Sequence, residues 1–563
     1  NFSHIKNIKA YTDNTYNTLD PHVSKRKKIH EVKEFKDKDI ISRGVFFGDR
    51  KQKTFTYPAV QKNSITVLSY EEEILDPHFI RPFYLNNPYL IENATFSVSV
   101  DKNIDLGYKT FNLDGVDVDF KTFETATQRN YVWTFKHVKK AYFQTDFSPV
   151  YYLPQIAVYI KSYAHHNTTT NISNSVDDLY SWYQSLIQNI NLTNQKDLKR
   201  ITETLISGLH NDEDKIKAIY YFVQEKINYI AFEDGLNGFI PRDASTVYQR
   251  KYGDCKDMAN ILNQMLQYAN ISSYLTWIGT RDKPYSYYDL PTTYTDNHMI
   301  TCVNLKSNFI FLDPTAKYLS FKLPSPSIQG KEALIGISKD HYKIIKVKEV
   351  KKDVNAKSMS STMSLDDQFN LVGQHTLKLS GYPKFYFHHQ HSNKNKNDKD
   401  FLRQAINFGT KKTEVSNIIY TNISRKTDTS AIYFKSILPN ALKKIDNDLF
   451  IKLNFDQELA TAFVKNKKKN YDKKINYKYV STYATKFIIP NGYSSKFIPK
   501  NIIFNGPDFG FTVTYEKTDQ AIFSYKNIYI NTLKVPKTNI NQWNEFIRNL
   551  SKANKKSIIL ELL

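Results

Sequence analysis

Three residues far apart in the chain have the types that thiol chemistry needs: Cys255, His298 and Asp313. Cys255 lies in the run Tyr252-Gly253-Asp254-Cys255-Lys256-Asp257, ahead of Met258, Leu262, Met265, Leu266 and Ala269, whose spacing predicts an amphipathic helix. Gly253 suits a tight turn, and Cys255 then falls in the first helical turn. There the unpaired N–H groups, the helix dipole and the charge on Lys256 favour a thiolate over a thiol. A free cysteine serves equally well as a small buried apolar residue, so the position alone does not decide. Its partners do. Asn297 to Val303 alternates as a strand, and Phe309 to Leu312 forms a second, stopped by Pro314. A four-residue loop over Asn304–Ser307 pairs Val303 with Asn308 and sets His298 directly opposite Asp313, on one face and about 5 Å apart. Cys255 as nucleophile, His298 as base and then acid, and Asp313 as orienter of the ring form an arrangement for attack on a carbonyl. Taken singly, His298 reads as a strand histidine and Asp313 as an Asp-Pro strand end; the weight comes from finding both behind a Gly-Asp-Cys helix start.

Helices and strands must both contribute to hold such groups. Ser175 with Asp178 is a capping box that predicts a helix through Ile190. Asp212, Glu213 and Asp214 open another, whose buried face carries Ile216, Ile219, Tyr220, Val223 and Ile227. Before them, Ser64–Tyr70, Ala94–Val100 and Asn130–Phe135 alternate as strands of a sandwich or barrel, and the aperiodic polar run Ala164–Asn171 reads as a linker. From about Lys351 to Leu533 alternation returns, as in Phe369–Val372 and Ile451–Phe455, interrupted by the Lys-rich loop Lys465–Lys474. A helix over Asn539–Ala553 and the apolar end Ile558–Leu563 close the chain, and neither β region shows a repeat of fixed period.

At 563 residues the chain has room for about three to five domains. With 40% hydrophobic and 24% charged residues and a mean hydropathy of −0.53, its composition is globular, and no apolar run reaches the roughly 18 residues of a transmembrane helix. The formal charge of +22 would suit a polyanion, but the lysines are scattered, in a Lys/Asn/Ile/Tyr bias that AT-rich codon usage also produces. No stripe with interleaved base-stacking residues is present, and nucleic acid is not an expected partner. The two cysteines cannot form a disulfide framework. Cys302 shares the face of His298 under strict alternation, either as core filler or as a residue whose disulfide with Cys255 would inhibit. Aromatic residues at 14% favour pleated surfaces and so extensive β structure. His388-His389-Gln390-His391, beside Asn393–Asn397, reads as a solvated loop because no Cys or carboxylate stands at ligand spacing, and His165-His166 reads the same way. With no Gly-rich phosphate loop either, neither a metal nor an organic cofactor is expected. The chain starts at Asn1, as a processed or trimmed form would, so the lack of a signal peptide carries no weight.

The run Gly238-Phe-Ile-Pro-Arg-Asp-Ala-Ser-Thr-Val-Tyr248, then Tyr252–Asp257, Asn297-His298 and Leu312-Asp313-Pro314-Thr315, resembles the transglutaminase-like superfamily. More closely it resembles the bacterial branch in which that core lies between two uncharacterised β-rich domains. The resemblance extends over essentially the whole chain: Ser181-Trp182 enters the core, Gln329-Gly330 and Ala333-Leu334 leave it, and Pro490-Asn491-Gly492-Tyr493 falls in the C-terminal domain. It implies an α+β multidomain protein with an N-terminal β-sandwich over residues 1–170 that starts late, a papain-like transglutaminase core over 171–348, and a C-terminal β-rich domain with a terminal helix over 349–563. It implies too that Cys255, His298 and Asp313 attack an amide of a peptide or protein and pass the acyl group to an amine or to water, a choice that a triad common to both leaves open. The oxyanion would be met by the Cys255 backbone N–H and a side-chain donor, Gln249 or Tyr229, each of which also has an ordinary structural use. A periplasmic or outer-membrane-associated place in a Gram-negative envelope, with an envelope protein complex among its partners, follows from the resemblance alone. A catalytically silent scaffold in such a complex is the alternative; the long β regions favour it and the intact triad opposes it.

Overall fold

The computed structural model describes residues 2–563 other than 16–27, 41–44, 49, 86–88, 140–147, 193–194, 234, 393–397, 407, 410–411, 457 and 466–470. The chain divides into two compact units. One comprises Asn1–Ala141, Leu153–Thr315 and Glu332–Ile345; the other comprises Tyr142–Tyr152, Ala316–Lys331 and Lys346–Leu563. Helices and strands mix as an α+β multidomain fold, with strand (43%) outweighing helix (22%) because the regions flanking the helical core are rich in β structure.

The first unit opens with β1 (Ser3–Asp13) paired to β2 (Ile65–Ile74). Next come β3 (Ile91–Asp101), β4 (Ile104–Phe111), β5 (Asp117–Glu124), β6 (Gln128–Val138), β7 (Gln155–His165) and β8 (Thr168–Asn171). They form two sheets, β5-β6-β3 and one in which β7 lies between β4 and β8. Alternation puts one apolar face of each sheet inward, where Val100, Leu106, Trp133, Phe135, Ile156 and Val158 share one core, so this is a β-sandwich. The run Ala164–Asn171 is not a linker. It closes the β7–β8 hairpin with His166 and Asn167 at φ of 46° and 63°, the conformation of a two-residue turn whose twist matches its strands. All four residues of β8 are exposed, so no apolar alternation could mark that strand.

Helices follow: α1 (Val176–Ile187) from its capping box, α2 (Lys196–Ile206), which periodicity does not single out, and α3 (Asp212–Lys226). The first of them stops at Ile187, three residues short of the predicted Ile190. After β9 (Asn228–Tyr229), α4 (Ala244–Arg250) and β10 (Tyr252–Gly253) comes α5 (Cys255–Tyr268). The remaining strands of this unit are β11 (Ser273–Ile278), β12 (His298–Leu305), β13 (Asn308–Leu312), β14 (Glu332–Ser338) and β15 (His341–Lys346), in the order β13-β12-β11-β14-β15. Met258, Ile261, Leu262, Met265 and Leu266 of α5 are all buried, because the sheet covers one side of that helix and α2, α3 and α4 the other. Thr301 Oγ1 donates to the Ala259 carbonyl at 2.9 Å and ties α5 to β12.

The second unit contains β16 (Ala356–Leu365), β17 (Leu371–Ser380), α6 (Gly381–Ser392), α7 (Asp398–Ile406), β18 (Glu414–Thr421), β19 (Thr429–Leu438), β20 (Leu442–Ile445) and β21 (Asp448–Lys452). It continues through β22 (Tyr479–Ile488), β23 (Tyr493–Phe497), β24 (Ile502–Phe504), β25 (Phe509–Lys517), β26 (Ala521–Ile530), α8 (Ile540–Asn554) and β27 (Ser557–Leu562). Eight strands make one sheet, β18-β19-β17-β16-β22-β26-β25-β24, and four make another, β20-β21-β27-β23. A single apolar core joins the inner face of the larger sheet (Ile432, Phe434, Phe487, Phe511) to Trp543 and Phe546 of α8. The apolar chain end Ile558–Leu563 is thus mostly a strand, β27, held between two others. His388, His389 and His391 lie on α6 and not in a solvated loop; His388 is buried, hydrogen-bonded through Nε2 to Ser430 Oγ at 2.9 Å. Burial pushes its imidazole down to about 4, and an uncharged ring with a partner can stay in the interior. Asn393–Asn397 lie outside the described residues, as do residues 466–470 of the Lys-rich segment, whose Lys473-Lys474 pairs with Lys534-Val535.

Candidate active site

Cys255 is the first residue of α5 and half-buried. Asp254 caps the helix and Asp257 closes the capping box, so the acids on either side of the thiol are structural. Asp257, fully buried, accepts from the backbone N–H of Asp254 at 3.0 Å, from that of Arg242 at 2.8 Å and from Arg242 Nε at 3.0 Å. The Arg242 guanidinium in turn lies 4.6 Å from the Phe232 ring centre. Gly253 is needed for closeness and not for a left-handed turn: a Cβ there would sit 2.5 Å from Asp257 Cβ. Lys256 does not lend its charge to the thiol, being buried and ion-paired with Asp254. Desolvating an ammonium costs enough that it takes the carboxylate at hand.

His298 opens β12, and its Nε2 is 3.0 Å from Asp313 Oδ2, which leaves the other ring nitrogen for Cys255, whose thiol acts on the same imidazole. Burial alone would push the imidazole down, but the charge and hydrogen bond of Asp313, then Cys255, hold it well above the usual histidine value. The two strands do not pair in the predicted register. Leu305 pairs with Asn308 and Thr301 with Leu312 around a two-residue turn of Lys306 and Ser307, at φ of 51° and 64°. The turn is shorter because both residues accept the positive φ of a tight hairpin. His298 and Asp313 are therefore diagonal neighbours rather than opposed. The slip is by two residues, an even number, so both side chains stay on the same face. Asp313 is buried just beyond the end of β13; its Oδ1 accepts from Thr315 N at 3.2 Å and Oγ1 at 2.6 Å, and Tyr220 donates to its carbonyl at 3.1 Å.

Tyr229 is half-exposed on β9, which runs parallel to β10 so that Tyr229 pairs with Gly253, two residues before the thiol. Gln249 is exposed near the end of α4, and among the described residues no hydrogen bond joins it to Cys255 or His298. Cys302, fully buried on β12, is unoxidised core, its thiol pushed well up by burial. Sequence reasoning missed the groups that hold the three in place. Arg242 and Thr315 stood in the quoted motifs without a role, and Tyr220 was read only as an apolar face. Asp296 carried no local signal: buried two residues before His298, it accepts from Tyr183 Oη at 2.8 Å and Tyr287 Oη at 2.9 Å. Burial pushes its carboxyl up to about 6 against the pull of those hydroxyls and Lys283. Among the described residues no three His, Cys, Asp or Glu side chains are grouped so as to hold a metal ion, and no helix is long and apolar enough to cross a membrane.

Residues 199–314 match the transglutaminase-like superfamily, residues 16–142 a domain of unknown function known from a solved structure (DUF3857), and residues 447–560 a second such domain (DUF3858). Among solved structures, a protein described as a "putative protease" from Parabacteroides distasonis matches over 100% of this chain and 90% of its own, at 12% identity and a TM-score of 0.62, which shows a shared fold. A "putative cysteine protease" from Cytophaga hutchinsonii matches over 40% of this chain and 73% of its own, at 13% identity and a TM-score of 0.19. No curated protein matches the sequence significantly.

Proposed function

This chain is a transglutaminase-like superfamily core set between a DUF3857 and a DUF3858 domain, and on that premise we propose thiol-dependent amide chemistry on a peptide or protein. The observation that carries the reading is one imidazole, His298, hydrogen-bonded to a buried carboxylate and raised further by the thiol of Cys255 at a helix start. Cys255 Sγ adds to the amide carbonyl carbon while its proton passes to His298. The oxyanion is received by the Cys255 backbone N–H, one of the orphan donors of a first helical turn, with the Tyr229 hydroxyl preferred to Gln249 because β9 runs beside β10. Collapse expels the amine, which takes the proton back from His298, and leaves an acyl thioester on Cys255. A water or a second amine, deprotonated by His298, then attacks the thioester and frees the thiol. The fold shared with a protein described as a "putative protease" is in keeping with a peptide substrate.

The test uses the full chain with casein as acyl donor and either water or hydroxylamine as acceptor, alongside iodoacetamide labelling mapped by mass spectrometry. Peptide or hydroxamate products that vanish in Cys255→Ala, and labelling of Cys255 that slows in His298→Ala, are the expected results. No product, with Cys255 alkylated no faster than free cysteine, would leave the silent scaffold in its place. For location we propose the periplasmic or outer-membrane side of a Gram-negative envelope, as part of an envelope complex, supported by family resemblance. Recovery of the native protein from the cytoplasm on fractionation would overturn it.

A further inference from the structure

The outer face of the eight-stranded sheet carries a trough that the chemistry above does not use. Strand registers line residues up across it. One rung runs Tyr433 (β19), Thr376 (β17), Ser360 (β16), Ala484 (β22), Tyr525 (β26). The next runs Lys435, Gln374, Thr362, Lys486, Phe523 on the same five strands. Residues opposite one another on neighbouring strands share a face, and rungs two residues apart share it too. The first rung goes large, small, small, small, large. Three adjacent strands give a low floor of Thr376, Ser360 and Ala484, and aromatic rings rise on both sides, four strand spacings or about 19 Å apart at the backbone. The space between holds about 610 Å³. A bulge between Ser416 and Ile419 on the edge strand β18 bends that side of the sheet, and Ile419 extends the Tyr433 wall.

Chemistry narrows what would fill it. Tyr433 and Tyr525 are about 40% exposed for side chains of their size (41% and 40%), which leaves ring faces open. Among the described residues, the hydroxyls of Ser360, Thr362 and Thr376, the Gln374 amide and the ammonium groups of Lys435 and Lys486 have no partner within the chain. No residue lining the trough is acidic. A floor of hydroxyl and amide groups does not suit the apolar anchors of a protein partner, and an extended peptide adds to a sheet edge rather than to its face. A pyranose chain fits each feature. Its hydroxyls match the floor, the C–H faces of its rings lie on the electron-rich faces of the tyrosines, and carboxylates on the sugar meet the two lysines.

We propose that this trough is a binding site for an acidic oligosaccharide, separate from the amide chemistry. The probe is hexagalacturonate, titrated into the full chain by calorimetry at low salt, with maltohexaose and hexaglutamate as comparators. Hexagalacturonate should bind, and Tyr433→Ala, Tyr433→Leu and Tyr525→Ala should each weaken it about tenfold without moving the melting temperature. Lys486→Gln should weaken binding and reduce its salt dependence, while Cys255→Ala should bind as the parent does. No binding of hexagalacturonate at millimolar concentration, or binding indifferent to the tyrosine variants, would overturn the site. Hexaglutamate binding as tightly would overturn the glycan in favour of an acidic peptide, and maltohexaose binding as tightly would overturn the role of charge.

Discussion

The candidate triad and the trough are both built of polar side chains on β-sheets, and they differ in how far the chain itself satisfies them. Asp313 uses one carboxylate oxygen on His298 and the other on Thr315, Tyr220 holds its backbone, and Asp257 fixes the start of the nucleophile helix through Asp254 and Arg242. Among the described residues the trough leaves Ser360, Thr376, Gln374 and Lys486 with no partner. Groups that must act at fixed geometry are immobilised by other groups of the protein, whereas groups that recognise keep their hydrogen-bonding capacity for the ligand.

The largest effects should fall on the satisfied side. Cys255→Ala should abolish product formation from casein, and His298→Ala should lower it by at least about a thousandfold, with both variants folded. Activity surviving in Cys255→Ala would end the mechanism. Asp313→Asn should keep a residual rate, since it removes an orienter and not the nucleophile. It also removes what holds the His298 imidazolium above its ordinary value. The stability that this raised value contributes is full below the unfolded histidine value of about 6.5 and is lost as pH rises through the folded one. The stability gap between the parent and Asp313→Asn should therefore narrow as pH rises above neutral, and a gap that widens would contradict the pairing.

Next in size is Asp296. Its folded value of about 6 lies above the unfolded 3.8, so the folded chain holds that proton more tightly. The group's contribution to stability falls as pH rises between those values and is level above them, a change of about 3 kcal/mol at most. The melting temperature of Asp296→Asn should therefore gain on that of the parent as pH rises across that window; a constant difference would refute the assignment. Arg242→Ala leaves Asp257 buried with fewer partners and should cost the first unit about 2 kcal/mol in urea unfolding, less than a fully buried pair because Arg242 is partly exposed. Smallest of all, Ser360→Ala and Thr376→Ala on the trough floor should stay within about 0.5 kcal/mol of the parent. A loss several times larger would mean that the floor is structural, and would erase the contrast between the two regions.

Much of the first unit was legible because its signals are local. The Ser175 and Asp254 helix starts, the apolar face of α3 and the alternation of β3 and β6 each follow from residues within one turn or one strand. The misreadings share a cause. Ala164–Asn171 has no apolar alternation because β8 faces water on both sides, and His388 looks polar in sequence but loses its solvent to the packing of α6. Lys256 beside Cys255 looked like a charge for the thiol until Asp254 took it.

The sequence by itself determined which residue types stand at the helix start, on the β12 strand and at its neighbour's end, and their parity, because side-chain direction in a strand repeats every two residues. That is why a hairpin misjudged by two residues still brought His298 and Asp313 to one face. Only the tertiary structure decided the turn, the partners that hold Asp313 and Asp257, and the surroundings that raise both His298 and Asp296, the first through the Asp313 charge against its burial and the second through burial itself. The trough too was invisible in the linear chain, since its rungs join five strands spread from Ser360 to Tyr525 whose registers are set by long-range pairing. Hydrogen bonds between distant strands and the loss of water around a packed group depend on the whole fold, and no short window of residues contains them.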